Sequence, residues 1–534
     1  MKKLLFIAFC CSVFSLFAAQ KKSLVIMIDG MRADTNINIA MPNYNNLKAG
    51  KFADGYKIVW ADNCRTALGA PADSAPNHVT IATGVHASKH GVVKNGTTKD
   101  GKYEDYPFYM SRLFEKGKIK KGAFLYTWSE DAQIKVKGVE RWRRGDAGNV
   151  VQLIDLLEKN NTPDALQIYI DLPDHDGHKR AKVMGLNGGF YPYSPKYAES
   201  IKQADKWIGD ILTAVRKRSS FANEDWYIVI CADHGGYEHF HGKGAGNQAM
   251  SVPLLVVSKN LKSGGKLAVV PSLTDIAPSI LNHFGIDIAD MKIDGRVIDG
   301  AAVRKNSALN NGLVYYLDFD KKITDNGVSD KTVSVFGKEP AKVQGKFGSA
   351  VEFKKDNGCL QLAVADKLEY ANENNFTVCF WLKSDKVTGD PAFFGNKSWN
   401  DGRNAGLVLV RRPTYRLNIG SADKKVRKDI EKFSHLNEWL FFAVTVKDGT
   451  IYFVQGMPDG NLYFMSERID GLTVAASMPW TLGQDGTGKY SVKLECKMDD
   501  FALWTRGLEM SELKTVFEQG CKGIPLKEII DAGK

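Results

Sequence analysis

Seven positions from Asp29 to His241 carry side chains of types that can bind metals or attack phosphorus: Asp29, Ser74, Asp174, His178, Asp233, His234 and His241. Asp29 closes an apolar run that starts at Ser23, and Gly30 follows it. Ser74 opens Ser74-Ala-Pro-Asn-His78, and Asp174 and His178 share Pro173-Asp-His-Asp-Gly-His178. Asp233 and His234 end a second apolar run beginning at Trp226, and His241 follows in His239-Phe-His-Gly242. Imidazoles and carboxylates are the donors zinc prefers. Two such ions about 3.5–4 Å apart can clamp the attacking and leaving oxygens of an in-line phosphoryl displacement. An economical division gives one ion Asp174, His178 and His241, and the other Asp29, Asp233 and His234, with Ser74 bridging or facing them. The Ser74 hydroxyl would then attack phosphorus and form a covalent phospho-enzyme that water hydrolyses. Taken singly these residues have ordinary readings: an Asp after a strand is a turn residue and a Ser a helix cap. Asp-His at the end of a buried strand says more, because charged groups there need partners. The whole set, in this order, points to a metal-dependent hydrolase.

Such residues need a frame that brings distant segments together. Ser23 to Ile28, Ala165 to Ile170 and Tyr227 to Ala232 are near-continuous apolar runs, the pattern of strands buried on both faces. Between Tyr197 and Val215, the residues Ile201, Ala204, Ile208, Ile211 and Leu212 recur at helical spacing, and Leu153, Leu156 and Leu157 do so over a shorter stretch. Alternating strands and helices predict an α/β domain with a mostly parallel sheet. Sites in such sheets lie beyond the carboxyl ends of the strands, where Asp29, Asp174 and the Asp233-His234 pair all fall.

Past residue 302 the texture changes. Small and polar residues from Ala301 to Gly312 read as a linker. Short β-rich runs with Gly-containing turns follow: Leu313–Phe319, Phe376–Leu382, Leu407–Val410, Leu440–Val446, Ile451–Val454 and Phe501–Trp504. They predict a β-sandwich.

The 534 residues are 44% hydrophobic and 25% charged, an ordinary globular composition. A formal net charge of +11 suits anionic partners, but no Lys/Arg tract with interleaved aromatics predicts a stable nucleic-acid complex. Lys2 and Lys3, the apolar stretch Leu4 to Phe17 and the small residues Ala18-Ala19 read as a secretory signal, placing the chain in the periplasm or outside the cell. No other run is long and apolar enough to predict a membrane span. Cys359, Cys379, Cys496 and Cys521 fall in the C-terminal part, where an oxidising compartment would permit disulfides; three pairings of the four stay open.

The N-terminal segments resemble the alkaline phosphatase superfamily, most closely its nucleotide pyrophosphatase/phosphodiesterase branch. The resemblance rests on Asp29-Gly30, Ser74-Ala-Pro-Asn77, Ala82-Thr-Gly84, His90-Gly-Val-Val-Lys-Asn95, Pro173-Asp174 with Gly177-His178, Ala232-Asp-His-Gly235 and His241. It continues through Val252-Pro-Leu-Leu255, Thr274-Asp-Ile-Ala-Pro278 and Gly295-Arg296. It implies Ser74 as nucleophile and metal ligand, the other six as ligands, and Asn95 as a donor to a phosphoryl oxygen. Asn95-Gly96 is also a strong turn dipeptide, and the two readings are compatible. Sulfatases carry an Arg where His78 stands, which makes a sulfatase using Ser74 the weaker alternative. The C-terminal part resembles a laminin-G-like, concanavalin A-like jelly roll, carried by Tyr315-Tyr-Leu-Asp-Phe319, Gly345-Lys-Phe-Gly348, Phe376-Thr-Val-Cys-Phe-Trp-Leu382, Trp439, Phe442-Ala-Val-Thr445 and Met498-Asp-Asp-Phe-Ala-Leu-Trp504. Such modules bind glycans or calcium or are structural, and the aromatic strands weigh toward core rather than a sugar platform.

The expected organisation is a signal peptide at 1–19, a metallohydrolase domain at 20–302, a linker at 303–312 and a β-sandwich at 313–525. The expected function is a secreted two-zinc hydrolase of phosphate esters. Its substrate would be a nucleotide, a lipid head group or a phosphorylated glycan, cleaved as a diester, pyrophosphate or monoester. A glycan-binding protein with a vestigial enzyme domain is the alternative of a different class.

Overall fold

The computed structural model describes residues 19–532 apart from 160, 180–188, 193, 243–244, 290, 302–307, 363–374, 385–388, 401–403, 412–413, 421–426, 433–435, 448 and 469–477, with backbone alone at 247 and 427–432. The signal-peptide expectation, and the linker expectation as far as 307, lie outside the described residues.

Eight strands build the N-terminal sheet: β1 (Gln20–Ile28), β2 (Lys57–Arg65), β3 (Gly122–Leu125), β4 (Val139–Trp142), β5 (Ala165–Ile170), β6 (Glu224–Ala232), β7 (Ser251–Ser258) and β8 (Gly265–Lys266). Their order is β4-β3-β5-β1-β6-β7-β2-β8. β5, β1 and β6 run parallel, whereas β7 is antiparallel to both its neighbours. Every residue of β5 and β6 is buried, which requires cover on both faces. Helices supply it. Pro42–Lys48, Gly145–Glu158 and Leu172–Gly177 pack against the long helix Pro195–Lys217, and Ser74–Thr83 and Tyr109–Glu115 pack against Ile276–His283. The long helix buries Ile201, Ala204, Ile208, Ile211 and Leu212, the face its spacing predicts.

Register fixes the site. Ile28 pairs with Ile170 of β5 and with Ala232 of β6. The next residue of each strand is a carboxylate, so Asp29, Asp171 and Asp233 emerge side by side at one sheet end.

Among the described residues the C-terminal unit is a sandwich of two antiparallel sheets, one of seven strands and one of eight with the strand Leu313–Leu317 paired to it. Phe380, Phe394, Phe442, Phe453 and Phe501 fill the space between them with no exposure. Alternation sends Trp381, Phe441 and Trp504 to the outer face of the eight-stranded sheet, where Leu513 and Phe517 of the helix Met510–Cys521 cover them. The aromatic strands are therefore core. Disulfides do not form among Cys359, Cys379, Cys496 and Cys521; all four are free. Cys379 and Cys496 lie on opposite faces of one sheet, and Cys359 belongs to the other.

The two units touch beside the sheet end that carries the carboxylates. Ile37, in the short helix Thr35–Asn38 after Asp29, packs into the cluster under the C-terminal helices. Leu462 begins the edge strand Leu462–Arg468. The Asn38 amide pairs with its backbone: Nδ2 donates to the Leu462 carbonyl at 2.6 Å, and Oδ1 accepts its N–H at 3.1 Å. Glu509, at the N-cap of Met510–Cys521, accepts from Lys266 at 2.5 Å and pairs with Lys447, so it joins the units and caps a helix. Glu509→Ala should destabilise the chain by about 1–3 kcal/mol, the sum of a lost cap and charge-assisted bonds. Urea denaturation of the variant checks this, and a midpoint equal to that of the parent chain would show that Glu509 does not stabilise the junction.

Candidate metal centre

The seven sequence-predicted residues converge. The Ser74 hydroxyl, at the first turn of the helix Ser74–Thr83, lies 3.1 Å from His234 Nε2. His234 Nε2 is also 3.1 Å from Asp29 Oδ1 and 3.4 Å from Asp233 Oδ2. Asp174 Oδ2 is 3.3 Å from His178 Nε2, and Asp174 Oδ1 is 3.8 Å from His241 Nε2. The His234 and His241 rings stack at 3.8 Å. Three residue sets are compact enough to hold an ion: Asp174, His234 and His241; Asp29, His78 and Asp233; and Asp29, Asp171 and Asp174. His178 approaches the first set through Asp174 and lies outside it, and His78 and Asp171 join the sets although the sequence expectation did not include them. Among the described residues every such set is in the N-terminal unit.

The imidazoles are oriented for ligation. Nδ1 of His178, His234 and His241 faces the backbone carbonyls of His239, Gly235 and Ala72 at 2.9, 2.8 and 2.9 Å. An Nδ1–H donated to a carbonyl leaves Nε2 with its lone pair free, which is the tautomer a metal needs. Asp29 Oδ1, Asp174 Oδ1, Asp233 Oδ2 and His78 Nε2 are buried without a hydrogen-bond partner. Orphaned acceptors that face one another across 3–4 Å are costly unless a cation lies among them. The donor set thus fits divalent metal, in keeping with its chemistry of imidazoles and carboxylates.

The electrostatics agree. Burial, then the charges of Asp233, Asp174 and Asp171, push the Asp29 carboxyl well above the usual range. Burial opposes charging of His78, but Asp131 and Asp233 outweigh it and raise the imidazole to about 10. Burial and the neighbouring His234 lower His241 to about 3, so it stays neutral and able to ligate near pH 7. A cluster with this many anions calls for positive charge.

Asn95 sits at the same place. Its Oδ1 accepts from the Ala75 N–H at 2.9 Å, next to Ser74, in a turn completed by Gly96 at φ +86°. The carbonyl end is committed, so the Nδ2 end remains to donate. One turn, Ser129–Gln133, anchors this loop and His78 together: Glu130 accepts from the Gly96 and Thr98 N–H groups, and Asp131 Oδ1 is 2.8 Å from His78 Nδ1.

Phe190 and Arg32 bind the ligand loops to one another. A Cβ placed on Gly30, Gly177 or Gly236 would come within 2.8, 2.4 or 2.3 Å of the Phe190 ring, so the ring fills space that glycines beside Asp29, His178 and His234 leave open. Arg32 Nη1 donates to the carbonyls of Phe190 and Gly236 at 2.9 and 3.0 Å, while Asp34 grips the other side of the guanidinium. The dipeptides Asp29-Gly30, Gly177-His178 and Gly235-Gly236 were the only signal of this packing in the sequence. Gly236→Ala should displace the ring and weaken metal binding by roughly tenfold or more, the scale seen when ligand support is lost. Competition with a chromogenic chelator measures it, and affinity equal to the parent's would show that the ring does not position the ligands.

His90 ties down the helix Ser74–Thr83. Its Nδ1 accepts from the Val92 N–H at 3.1 Å, so Nε2–H donates to Thr80 Oγ1 at 3.0 Å. Burial lowers this imidazole from 6.5 to about 4. Between these values the unfolded chain binds a proton that the folded chain does not, so stability falls as pH drops from 6.5 toward 4. His90→Gln should lose roughly 2–3 kcal/mol less than the parent chain over that window. Parallel denaturation curves at pH 7 and 4.5 check it, and identical pH slopes would contradict it.

Residues 23–138 match the family model "Type I phosphodiesterase / nucleotide pyrophosphatase", residues 193–288 "Metalloenzyme superfamily", and residues 356–514 "Concanavalin A-like lectin/glucanases superfamily". Venom phosphodiesterase 2 of Crotalus adamanteus is 23% identical over 245 residues, 40% of this chain and 27% of the relative. Ectonucleotide pyrophosphatase/phosphodiesterase family member 3 of Bos taurus is 23% identical over 239 residues, 40% of this chain and 24% of the relative. The chain therefore spans about a quarter of the length of these curated relatives. Murine ectonucleotide pyrophosphatase/phosphodiesterase 5 overlays with a TM-score of 0.38 at 13% identity, over 52% of this chain and 97% of that one. The N-terminal unit of this chain carries the signature of the type I phosphodiesterase/nucleotide pyrophosphatase family and of the metalloenzyme superfamily, and its C-terminal unit that of the concanavalin A-like superfamily.

Proposed function

We propose that the chain is a secreted, two-zinc hydrolase of phosphate esters that works through a phospho-Ser74 intermediate. The observation that carries this reading is the ring of buried, unpartnered carboxylate and imidazole atoms beside the Ser74 hydroxyl. Bound zinc would supply Lewis acidity that ionises a hydroxyl and screens phosphoryl charge. Asp174, His178 and His241 would hold one ion, and Asp29, Ser74, Asp233 and His234 the other. The Ser74 oxygen and His234 Nε2 lie 3.1 Å apart, close enough to share that ion. That oxygen attacks phosphorus, the bond to the leaving oxygen breaks, and the leaving group departs with a proton. Water then attacks the phospho-serine, releasing the phosphate product and restoring the hydroxyl. Asn95 Nδ2 donates to a phosphoryl oxygen, and the amino end of the helix Ser74–Thr83 favours the negative charge that develops there.

The relatives' names, phosphodiesterase and nucleotide pyrophosphatase, favour a diester or pyrophosphate bond. A nucleotide, a lipid head group and a phosphorylated glycan all suit the basic chain. The sandwich would bind glycan or calcium, or act as support for the enzyme. Secretion rests on the basic and apolar N-terminus; among the described residues no helix is long and apolar enough to cross a membrane.

Zinc-loaded protein, with a chelated control, should hydrolyse nitrophenyl phosphodiester in preference to nitrophenyl phosphate or nitrophenyl sulfate. Ser74→Ala should keep much of its metal and lose turnover by a factor on the order of 10³ or more. A monoester preference would make the chain a phosphatase, and a sulfate preference would overturn the assignment of Ser74. No turnover on any ester, with glycan affinity kept in metal-free protein, would favour the vestigial-enzyme alternative.

A further inference from the structure

We propose that His78 is a metal ligand at the Asp29–Asp233 position, with Asp131 as the carboxylate that orients it. The inference rests on the two-metal reading above and adds a donor to it. His78 lies one helical turn after Ser74, so its side chain shares that face of the helix Ser74–Thr83. It is 1% exposed, wedged edge-on against Tyr169 at 4.8 Å and Trp128 at 5.8 Å. The ring has no freedom to point elsewhere. Nδ1–H donates to Asp131 Oδ1 at 2.8 Å. That bond commits Nδ1 and leaves Nε2 as the ring atom that faces the carboxylates.

Nε2 faces Asp233 Oδ2 at 3.2 Å and Asp29 Oδ2 at 4.0 Å. Both Nε2 and Asp233 Oδ2 are buried without a hydrogen-bond partner. Two carboxylates facing Nε2 in a dry site call for positive charge among them, and a divalent ion supplies it in place of a proton and makes Nε2 a ligand. The carboxylate–imidazole–metal arrangement is a recurrent way to raise ligand basicity and fix ring direction. Nδ1 of His178, His234 and His241 hydrogen-bonds to a backbone carbonyl, whereas that of His78 hydrogen-bonds to a carboxylate.

The test uses the full chain and measures binding apart from turnover. Metal content after dialysis, chelator competition for Zn2+, and the visible ligand-field bands of the Co2+-loaded protein are recorded for the parent, His78→Gln and Asp131→Asn. The parent should bind two ions. His78→Gln should lose one of them under conditions that keep the other, with changed Co2+ bands. Asp131→Asn should weaken the same ion by 10–100-fold, the usual cost of removing an orienting partner. Two ions held with parental affinity and unchanged bands, in either variant, would overturn the proposal and leave the two-metal reading intact. Lower thermal stability with unchanged bands would also overturn it, because that is the mark of packing alone. A parent chain that binds no ion pair would instead remove the two-metal reading and this proposal with it.

Discussion

Like charges forced together at the end of a parallel sheet are the constraint on which the rest of the site depends. Pairing in register delivers Asp29, Asp171 and Asp233 to neighbouring strand ends, and Asp174 follows one helical turn after Asp171. Four carboxylates in a largely buried volume repel each other at any ordinary dielectric. What surrounds them relieves that repulsion piece by piece. The Tyr169 hydroxyl lies 2.5 Å from Asp29 and 2.6 Å from Asp171 and shares its one proton between them, and Nε2 of His78 and of His234 faces the carboxylates from the other sides. Several acceptors still lack a partner, and the chemistry of the donors matches a divalent ion.

Holding such a cluster needs stiffness, because each loop would otherwise swing outward. Phe190 supplies it through steric fit against glycines in three loops, and Arg32 through hydrogen bonds to the backbone of two segments. The turn Ser129–Gln133 does the same for the other side, with Glu130 on the Asn95 loop and Asp131 on His78. Neighbouring residues of one turn thus support the loop that carries the candidate phosphoryl donor and an imidazole of the centre.

The sandwich is part of this support. Its edge strand is capped by Asn38, and its C-terminal helices bury Ile37, both in the segment that follows Asp29. The loop leaving the centre is thereby tethered at its far end. The contact with the N-terminal unit runs through Leu462 of the strand edge, through Glu509 with Lys447, and through the cluster under the C-terminal helices.

The strands flanking the site, the long helix Pro195–Lys217 and the sandwich pattern were legible in the chain because burial on both faces, helical spacing and alternation each leave a periodic trace. Local chemistry after strand ends also marked Asp29, Asp174, Asp233 and His234, and the motif Ser74-Ala-Pro-Asn77 marked Ser74. What sequence could not decide was which ligands share an ion. That depends on distances between segments far apart in the chain, and the fold groups His234 with Asp174 and His241 as well as with Asp29. Nor could it find His78, Asp171, Asp131, Arg32 and Phe190, whose roles come from strand register and packing. Residue type and spacing determined that metal-binding side chains would gather at one sheet end; only the three-dimensional packing decided which lone pairs meet there, because ligation acts over a few ångströms and has no memory of position along the chain.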